Sequence, residues 1–590
     1  MVRLSTLATQ AVLHLATFFT QSALADSDGI VVWPPEVPNE GNGYSRVIQL
    51  QHAGDSNGNL LAIWEHWYTQ GDTKSSNGTA SHYIIRESGD NGTTWDTLTT
   101  ISDPLTGTGH PATLFYQPFL FEFPQQLGKY PEGTLLLVGN LAKDLNTDFV
   151  SWRSTDHGKT WTVVGKFLHG SKNEKGRIWE PFVYLDSKGG IVTVFSDQTD
   201  FQKHAQKLSS VTSGDGGDTW SDPEEVVVGS RFVDRPGMAT VAKMDNGEFI
   251  MSYEWCIGNV TTGEMTSEPC PIHVKMSVDG VSWNKSDTGT VIYTTDGIQT
   301  FGSPYTIWDP TEKKVIVSSK TKRWQNDTKV YPPENRRILF VNNNYGKGGW
   351  SWAPSPWTAP KDTDVCGANY SPNLLLLPNG TVLYTAEASI DGNDPKSHCT
   401  LRTGAAPIAS LPYKSDFSGI GQAGWIDFDG TWSIADDQYN FAPVPSSATL
   451  AITGSSGWTD YEVSAEVIIT SKSGVVGLVA RASASRSVPN TLTRYTAAID
   501  SNSGKVTVYR VADKATALKS EAHSGGIKGN KSYHLSLSVR STNITVTLSE
   551  DGRAKTTVTA SDDGLKSGLA GLYGSYGSGG FKNVQISSSA

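Results

Sequence analysis

Cysteine is scarce: four residues in a chain of 590 cannot frame the molecule, so any disulfide trims a loop and does not replace a core. Charge is also sparse, at 18% of residues, which leaves too little material for the solvent faces of helical bundles. The 48 Lys and Arg are outnumbered by 59 Asp and Glu, for a net charge of −11, and they form no basic block. A nucleic-acid partner is therefore not expected. Beyond the first 25 residues no apolar run reaches the roughly 18 residues needed for a membrane helix, so no membrane partner is expected either. There is no His-Glu-x-x-His, no zinc-type cysteine pair, no complete calcium loop and no glycine loop leading from strand to helix, so neither metal nor cofactor is expected. What is plentiful is glycine, at 59, and aromatics: 18 Trp, 21 Tyr and 19 Phe. That mixture belongs to short strands joined by tight turns.

Residues 1–25 have the pattern of a secretory signal: Arg3, a mostly apolar stretch over 4–20, and the small-x-small run Ala23-Leu24-Ala25 before Asp26. A secreted, extracellular protein is the expectation. Nine N-x-Ser/Thr sequons fit that compartment, although Pro372 directly after Ser371 compromises the one at Asn369. Of three possible cysteine connectivities, Cys256–Cys270 with Cys366–Cys399 joins the pairs nearest in sequence.

The long-range signal is a repeated turn, Ser-x-Asp-x-Gly-x-Thr-Trp, at residues 88–95, 154–161 and 213–220, with a shortened copy from Ser277 to Trp283. The Asp accepts backbone N–H groups, the Gly opens the dihedrals and the Trp packs back on the sheet. The copies start 66, 59 and 64 residues apart, and a near-constant period implies a repeat architecture. A second pattern, out of phase with the first, is an apolar segment, a Gly turn and another strand, with six copies beginning at Ser45, Tyr116, Trp179, Arg235, Gly302 and Tyr370. Two strands from each copy and two from the turn motif make a four-stranded blade. Six blades of roughly 60–65 residues fill residues 29–410, and a six-bladed β-propeller is predicted there. Fifteen of the 18 Trp precede residue 410, and most of them, including Trp95, Trp161, Trp220 and Trp283, are assigned to hairpin packing.

After residue 410 the turn motif and cysteines vanish, and Ser/Thr alternate with Val/Ile/Leu, as in Asp460–Thr470 and Tyr533–Gly552. Residues 411–424 read as a linker and 425–590 as a β-sandwich with period-two strands. The whole chain is thus all-β. The second domain resembles laminin-G or concanavalin-like sandwiches, which does not itself name a ligand. Trp425, Trp432, Trp458, Tyr461 and Tyr495 suit either sugar stacking or core packing.

In a propeller the innermost strands line a central channel, so the segment openings Arg46, Gln117, Glu180, Arg235, Ser303 and Ser371 should converge at its mouth. The ends of the second strands add Glu65, Glu254 and Glu387. Carboxyls among aromatics supply what glycosidic cleavage needs: a protonated acid for the leaving oxygen and an ionised carboxylate facing the anomeric carbon. Glu180, between Trp179 and Pro181, and Glu254, between Tyr253 and Trp255, are the pair selected. Both also suit channel salt bridges to Arg46 or Arg235. Arg46, Trp64, Gln117, Trp179, Arg235, Tyr253 and Tyr370 are the expected substrate contacts. Glu65 and Glu387 are expected to hold hydroxyls or to position an arginine.

The segments Ile178-Trp179-Glu180-Pro181-Phe182, Asp234-Arg235-Pro236-Gly237-Met238 and Met251-Ser252-Tyr253-Glu254 resemble those of fungal exo-α-1,5-L-arabinanases, glycoside hydrolase family ninety-three. That family has sialidase-like six-bladed propellers and releases arabinobiose from the non-reducing end of linear arabinan with retention. The resemblance implies Glu180 as general acid/base, Glu254 as nucleophile and a carboxyl separation of roughly 5–5.5 Å. It also implies a plant cell-wall polysaccharide as partner, and a monomer is expected. A sialidase would need a third arginine beside Arg46 and Arg235, for which Arg323 in an Asn-rich loop is poorly placed. A uronate lyase would draw on His66, His110 or Tyr116, and a sugar-binding propeller would have no reason to pair Glu180 with Glu254.

Overall fold

The computed structural model describes residues 29–37, 40–68, 80–102, 114–173, 176–266, 269–325, 338–357, 369–389, 399–418, 421–442, 448–484 and 491–589. The signal segment, Cys366 and the sequons at Asn77 and Asn326 lie outside the described residues. Among those described, one 3-10 turn at Gly54–Ser56 is the only helical element and the rest of the regular structure is strand, as the composition predicts.

Residues before 410 form antiparallel meanders in a propeller-like arrangement. Four sheets stand as separate four-stranded units, and two further meanders, Glu40–Ile101 and Leu114–Ser171, share one sheet through the single pairing of His66 with Phe115. The innermost strands are nearly all buried, for example Glu40–Gln49 and Asp234–Lys243. The last sheet in sequence takes its outermost strand from the start of the described chain: Ile30–Trp33 pairs with Cys399–Ala406.

The turn motif sits where the repeat placed it, between the third and fourth strands of a meander. In the first copy Asp90 Oδ1 accepts the Thr94 N–H at 2.8 Å, Ser88 Oγ accepts the Gly92 N–H at 2.9 Å, and the Trp95 indole N–H reaches the Gly92 carbonyl at 3.0 Å. The copies at Asp156, Asp215 and Asp279 repeat the Ser and Asp contacts. Trp161 and Trp283 repeat the indole bond. Trp220 instead stacks on Phe167 at 4.5 Å. These tryptophans are packing residues, as expected.

The second domain is a pair of packed antiparallel sheets. One contains Tyr461–Ile469, Ser532–Arg540 and Gly579–Ser588, and the other contains Val475–Ala484, Leu492–Asp500 and Leu569–Ser575. The strand Tyr461–Ile469 alternates strictly between buried and half-buried positions, the period-two pattern of a sheet with one face in the core. The stretch expected as a linker is part of this domain. Tyr413–Ser415 pairs with Val584–Ile586, and Phe417 is enclosed in the sandwich core. Apolar Tyr413 and Phe417 have more area to bury against the sandwich than a solvated tether allows. Trp425, Trp432, Tyr461 and Tyr495 are core residues, and Trp458 is packed against that core. They do not form a sugar-stacking surface.

The two domains share a continuous apolar cluster: Trp350 and Trp352 of the propeller pack with Ile426, Leu450, Ile452, Val479 and Leu569 of the sandwich. Polar contacts frame it. Trp352 N–H donates to Ser456 Oγ at 2.9 Å, and Asp296 Oδ2 accepts from the Trp352 indole at 2.9 Å and from Ser483 Oγ at 3.3 Å.

Candidate active site

The inner segments carry a recurring backbone distortion. Tyr44, Gln117, Glu180, Met238, Ser303 and Ser371 all have left-handed φ, between +47° and +57°, one on each of the six repeated segments. In the four strands beginning at Glu40, Leu114, Ile178 and Asp234 the distortion coincides with a slip in pairing, a bulge that places two residues against one. Non-glycine residues pay about 1–3 kcal/mol for such geometry, and it persists where surrounding structure holds it. Its effect here is to turn a side chain out of the strand's alternation and into a common site. Of the six predicted openings, Gln117, Glu180, Ser303 and Ser371 are themselves the distorted residues, each followed by proline. In the other two segments the distortion falls at Tyr44 and Met238, not at Arg46 and Arg235.

Glu180 is anchored through its backbone: its N–H donates to Gln117 Oε1 at 2.9 Å, an oxygen that also accepts from Asn140 Nδ2 at 2.9 Å. Burial pushes the Glu180 carboxyl above the ordinary range, opposed by Ser196, Arg235, the Met238 amide and Arg46. Glu254 is fixed from the next repeat, where the Ser303 N–H donates to its Oε2 at 2.8 Å. Gly237 borders Glu254 and the hydroxyl that bonds Glu180. A Cβ there would stand 3.7 Å from Glu254 Oε1 and 3.3 Å from Ser196 Oγ, the hydroxyl beside Glu180. Both carboxyls bear on the Arg235 guanidinium and on the Tyr370 phenol.

Two further carboxyls belong to the cluster. Glu65 is half-buried, and burial together with the Glu180 charge raises its pKa to about 8. Glu387 is fully enclosed, and burial drives its pKa well above the normal range, opposed by the backbone amides of Glu387 itself and Tyr370. Tyr370 lies among Glu180, Glu254 and Glu65, and its phenol is held neutral by burial and by those three charges.

Among the described residues the arginines do not form the salt bridges to Glu180 or Glu254 that stood as the alternative reading. Arg46 donates to the Ser45 carbonyl at 2.6 Å and to Ser371 Oγ at 3.0 Å, and lies over the rings of Tyr44 and Tyr305 at 4.0 and 5.1 Å. Arg235 donates to the Gly263 carbonyl at 2.8 Å and to Gln206 Oε1 at 2.8 Å. Both are buried and act on the carboxyls through the field, not by contact. Trp179 remains a surface candidate: half-buried, it lies under Arg177 at 4.9 Å and beside Tyr116 at 6.5 Å. Trp64 and Tyr253 leave the substrate-facing set. Trp64 is fully enclosed with its indole N–H on Asn42 Oδ1, and the buried Tyr253 hydroxyl donates to the Thr288 carbonyl. Half-buried Trp67 takes the exposed phase of the strand in place of Trp64. Gln117 is a positioning residue, the Ser303 opening contributes its amide, and Tyr44, Tyr305 and Ser196 join the site from outside the predicted residues.

Beneath Glu254 lies the disulfide Cys256–Cys270, one of the predicted pairs. Glu254, Cys256 and Cys270 are the one cluster of metal-type donor atoms among the described residues, but both sulfurs are tied in the disulfide, so no thiolate is offered.

No family profile and no curated protein sequence matches the chain. Solved structures do. The α-L-arabinanase of Penicillium chrysogenum, complexed with arabinobiose, is 26% identical over 64% of this chain and 98% of its own, with a TM-score of 0.51. A glycoside hydrolase family ninety-three α-L-arabinofuranosidase of Fusarium graminearum, also with arabinobiose, is 26% identical over 64% of this chain and 96% of its own, again with a TM-score of 0.51. The Fusarium enzyme bound to an iminosugar inhibitor matches at 25% identity, 64% and 97% coverage and a TM-score of 0.51.

Proposed function

We propose that this chain, whose propeller region resembles the family ninety-three arabinanases and arabinofuranosidases, is a secreted, retaining exo-glycosidase that releases arabinobiose from the non-reducing end of α-1,5-L-arabinan. The observation that supports the reading is that Glu180 and Glu254 act on the same arginine, Arg235, and the same phenol, Tyr370, one carboxyl raised by burial and the other held by a backbone amide. Glu254 attacks the anomeric carbon while Glu180 protonates the departing oxygen. Glu180, now ionised, then takes a proton from the water that opens the covalent intermediate. The amide of Ser303 aligns the attacking oxygen pair, and Gln117 fixes the backbone from which the acid projects.

The same reading takes the shared sheet as two blades joined by one bridge, so that the propeller has six, each contributing one left-handed residue to the axis. A monomer acting on plant cell-wall polysaccharide completes the proposal.

The test is incubation of the protein with linear 1,5-arabinan. Arabinobiose released from chain ends as the α-anomer is expected. Arabinose alone or random cleavage refutes the substrate assignment, an initial β-anomer refutes retention, and an unsaturated uronate from pectic polymers would indicate a lyase.

A further inference from the structure

We propose, building on the reading of this site as a carbohydrate-cleaving one, that Glu65 is a substrate-binding residue that works as a neutral carboxylic acid, donating its O–H to a hydroxyl or ether oxygen of the sugar held at Glu180 and Glu254. Geometry comes first. Along Leu60–Tyr68 the side chains of Trp64 and His66 are buried, whereas Glu65 between them is half-buried and turned to the site. Its one hydrogen bond among the described residues is a long one, 3.4 Å from the Gln117 N–H to Oε2. The same Gln117 holds the backbone of Glu180 through its side chain, so Glu65 and the proposed acid are carried on one glutamine.

Below Glu65 is the enclosed carboxyl of Glu387. Gly43 is the cross-strand partner of Glu65, and a Cβ on it would stand 3.8 Å from Glu387 Cδ. Two carboxyls thus flank a residue with no side chain, and among the described residues neither forms an ion pair. The guanidinium of Arg46 is already committed to Ser45 and Ser371, and that of Arg235 to Gly263, Ala205 and Gln206. The other groups around Glu65 are the phenols of Tyr44, Tyr83, Tyr116 and Tyr370, each held neutral by burial. Four carboxyls therefore neighbour two guanidinium ions and the Lys320 ammonium, which lies over the Tyr370 ring at 5.6 Å. With Glu254 ionised for attack, burial and mutual repulsion keep Glu65 and Glu387 protonated. A half-buried neutral acid with its proton unclaimed by protein is a donor, and a sugar supplies acceptors in abundance. The arrangement also explains a cluster of four acids where double displacement uses two.

Calorimetric binding of arabinobiose to wild type, Glu65→Gln and Glu65→Ala tests the contact. Gln keeps a donor of the same shape without an ionisable proton, so its affinity should stay within about threefold of wild type, while Ala should lose about tenfold. Wild-type binding should weaken between about pH 7 and pH 9.5 as Glu65 ionises, and the Gln variant should not follow it. Infrared difference spectra of wild type against Glu65→Gln at about pH 7 should show one protonated-carboxyl stretch missing in the variant, a result independent of any ligand. Gln as weak as Ala, three equal affinities, no binding by wild type, or loss of a carboxylate band in place of a carboxylic one would each overturn the proposal. Failure to cleave arabinan would instead defeat the functional reading and leave the infrared result intact.

Discussion

Gln117→Met offers the most direct test of how the site is held. The substitution keeps length and approximate shape but removes an oxygen that accepts from two donors, the Glu180 N–H and Asn140 Nδ2, both at 2.9 Å. Asn140 Nδ2 keeps a second acceptor, the Ile178 carbonyl at 3.2 Å, so its loss amounts to one ordinary hydrogen bond, about 0.5–1.5 kcal/mol. Gln117 Oε1 is the acceptor of the Glu180 amide, and stranding a donor at this partly buried position costs about 1–2 kcal/mol. The expected total is about 1.5–3.5 kcal/mol, read as a lower urea midpoint at unchanged m-value. The catalytic effect should be larger than that figure suggests, because the freed amide is that of the left-handed residue whose side chain is the acid. A displacement of about 1 Å there lowers kcat on the order of 100-fold, with KM much less affected. A Gln117→Met protein with a wild-type urea midpoint and wild-type kcat would show that the distortion at Glu180 stands without this glutamine.

Glu254→Gln should lose at least about 1,000-fold in kcat on arabinan while keeping its melting temperature, and near-normal turnover would remove Glu254 as nucleophile. Ser196→Ala withdraws a partner that lowers the Glu180 pKa, so the alkaline limb of the kcat/KM profile should move to higher pH; a shift to lower pH would contradict the assignment. Because the folded-state pKa of Glu65 is raised to about 8, its proton favours the folded form most below the ordinary glutamate range, and that contribution is lost as pH rises through about 8. Thermal stability should accordingly decline across that window less in Glu65→Gln than in wild type. Replacing Cys256 and Cys270 by Ser opens a loop with a sequence separation of 14 residues, which costs about 3 kcal/mol and should depress activity because Glu254 lies two residues from the bridge. Trp352→Ala removes a fully buried indole from the cluster spanning both domains and should cost about 3–5 kcal/mol, lowering the calorimetric transitions of propeller and sandwich together.

Much of this architecture was legible because repetition amplifies weak signals. One Asp-x-Gly turn is common, but four at a near-constant spacing locate the third and fourth strands of four meanders. The site was legible where a proline followed the distorted residue, at Gln117, Glu180, Ser303 and Ser371, since proline after a polar residue interrupts an apolar run visibly. Tyr44 and Met238 carry the same distortion with no proline after them; each follows a glycine instead, a weaker mark. Facing was hardest to read in strands buried on both sides. In Leu60–Tyr68 the first five residues are all enclosed, so period two fails to separate Trp64 from Trp67 until the alternation begins at Glu65. The sequence left the arginine partners open between carboxylates and other acceptors; here Arg46 turns to a carbonyl, a hydroxyl and aromatic faces, and Arg235 to carbonyls and a glutamine.

The strand Ile30–Trp33 gives the ring a particular folding order. It hydrogen-bonds to residues 401–403, made some 370 positions later, so the earliest-made part of the described chain waits for the latest part of the propeller before its sheet can exist. Intermediate meanders can assemble as they leave the ribosome, but the ring stays an open arc with an exposed strand edge until residue 403 is available. A nascent or truncated chain ending short of that point would therefore offer its unpaired edge to other chains, and a pulling force applied at residue 30 would meet a clasp of backbone hydrogen bonds, with opening of the whole propeller beginning where its last piece was added.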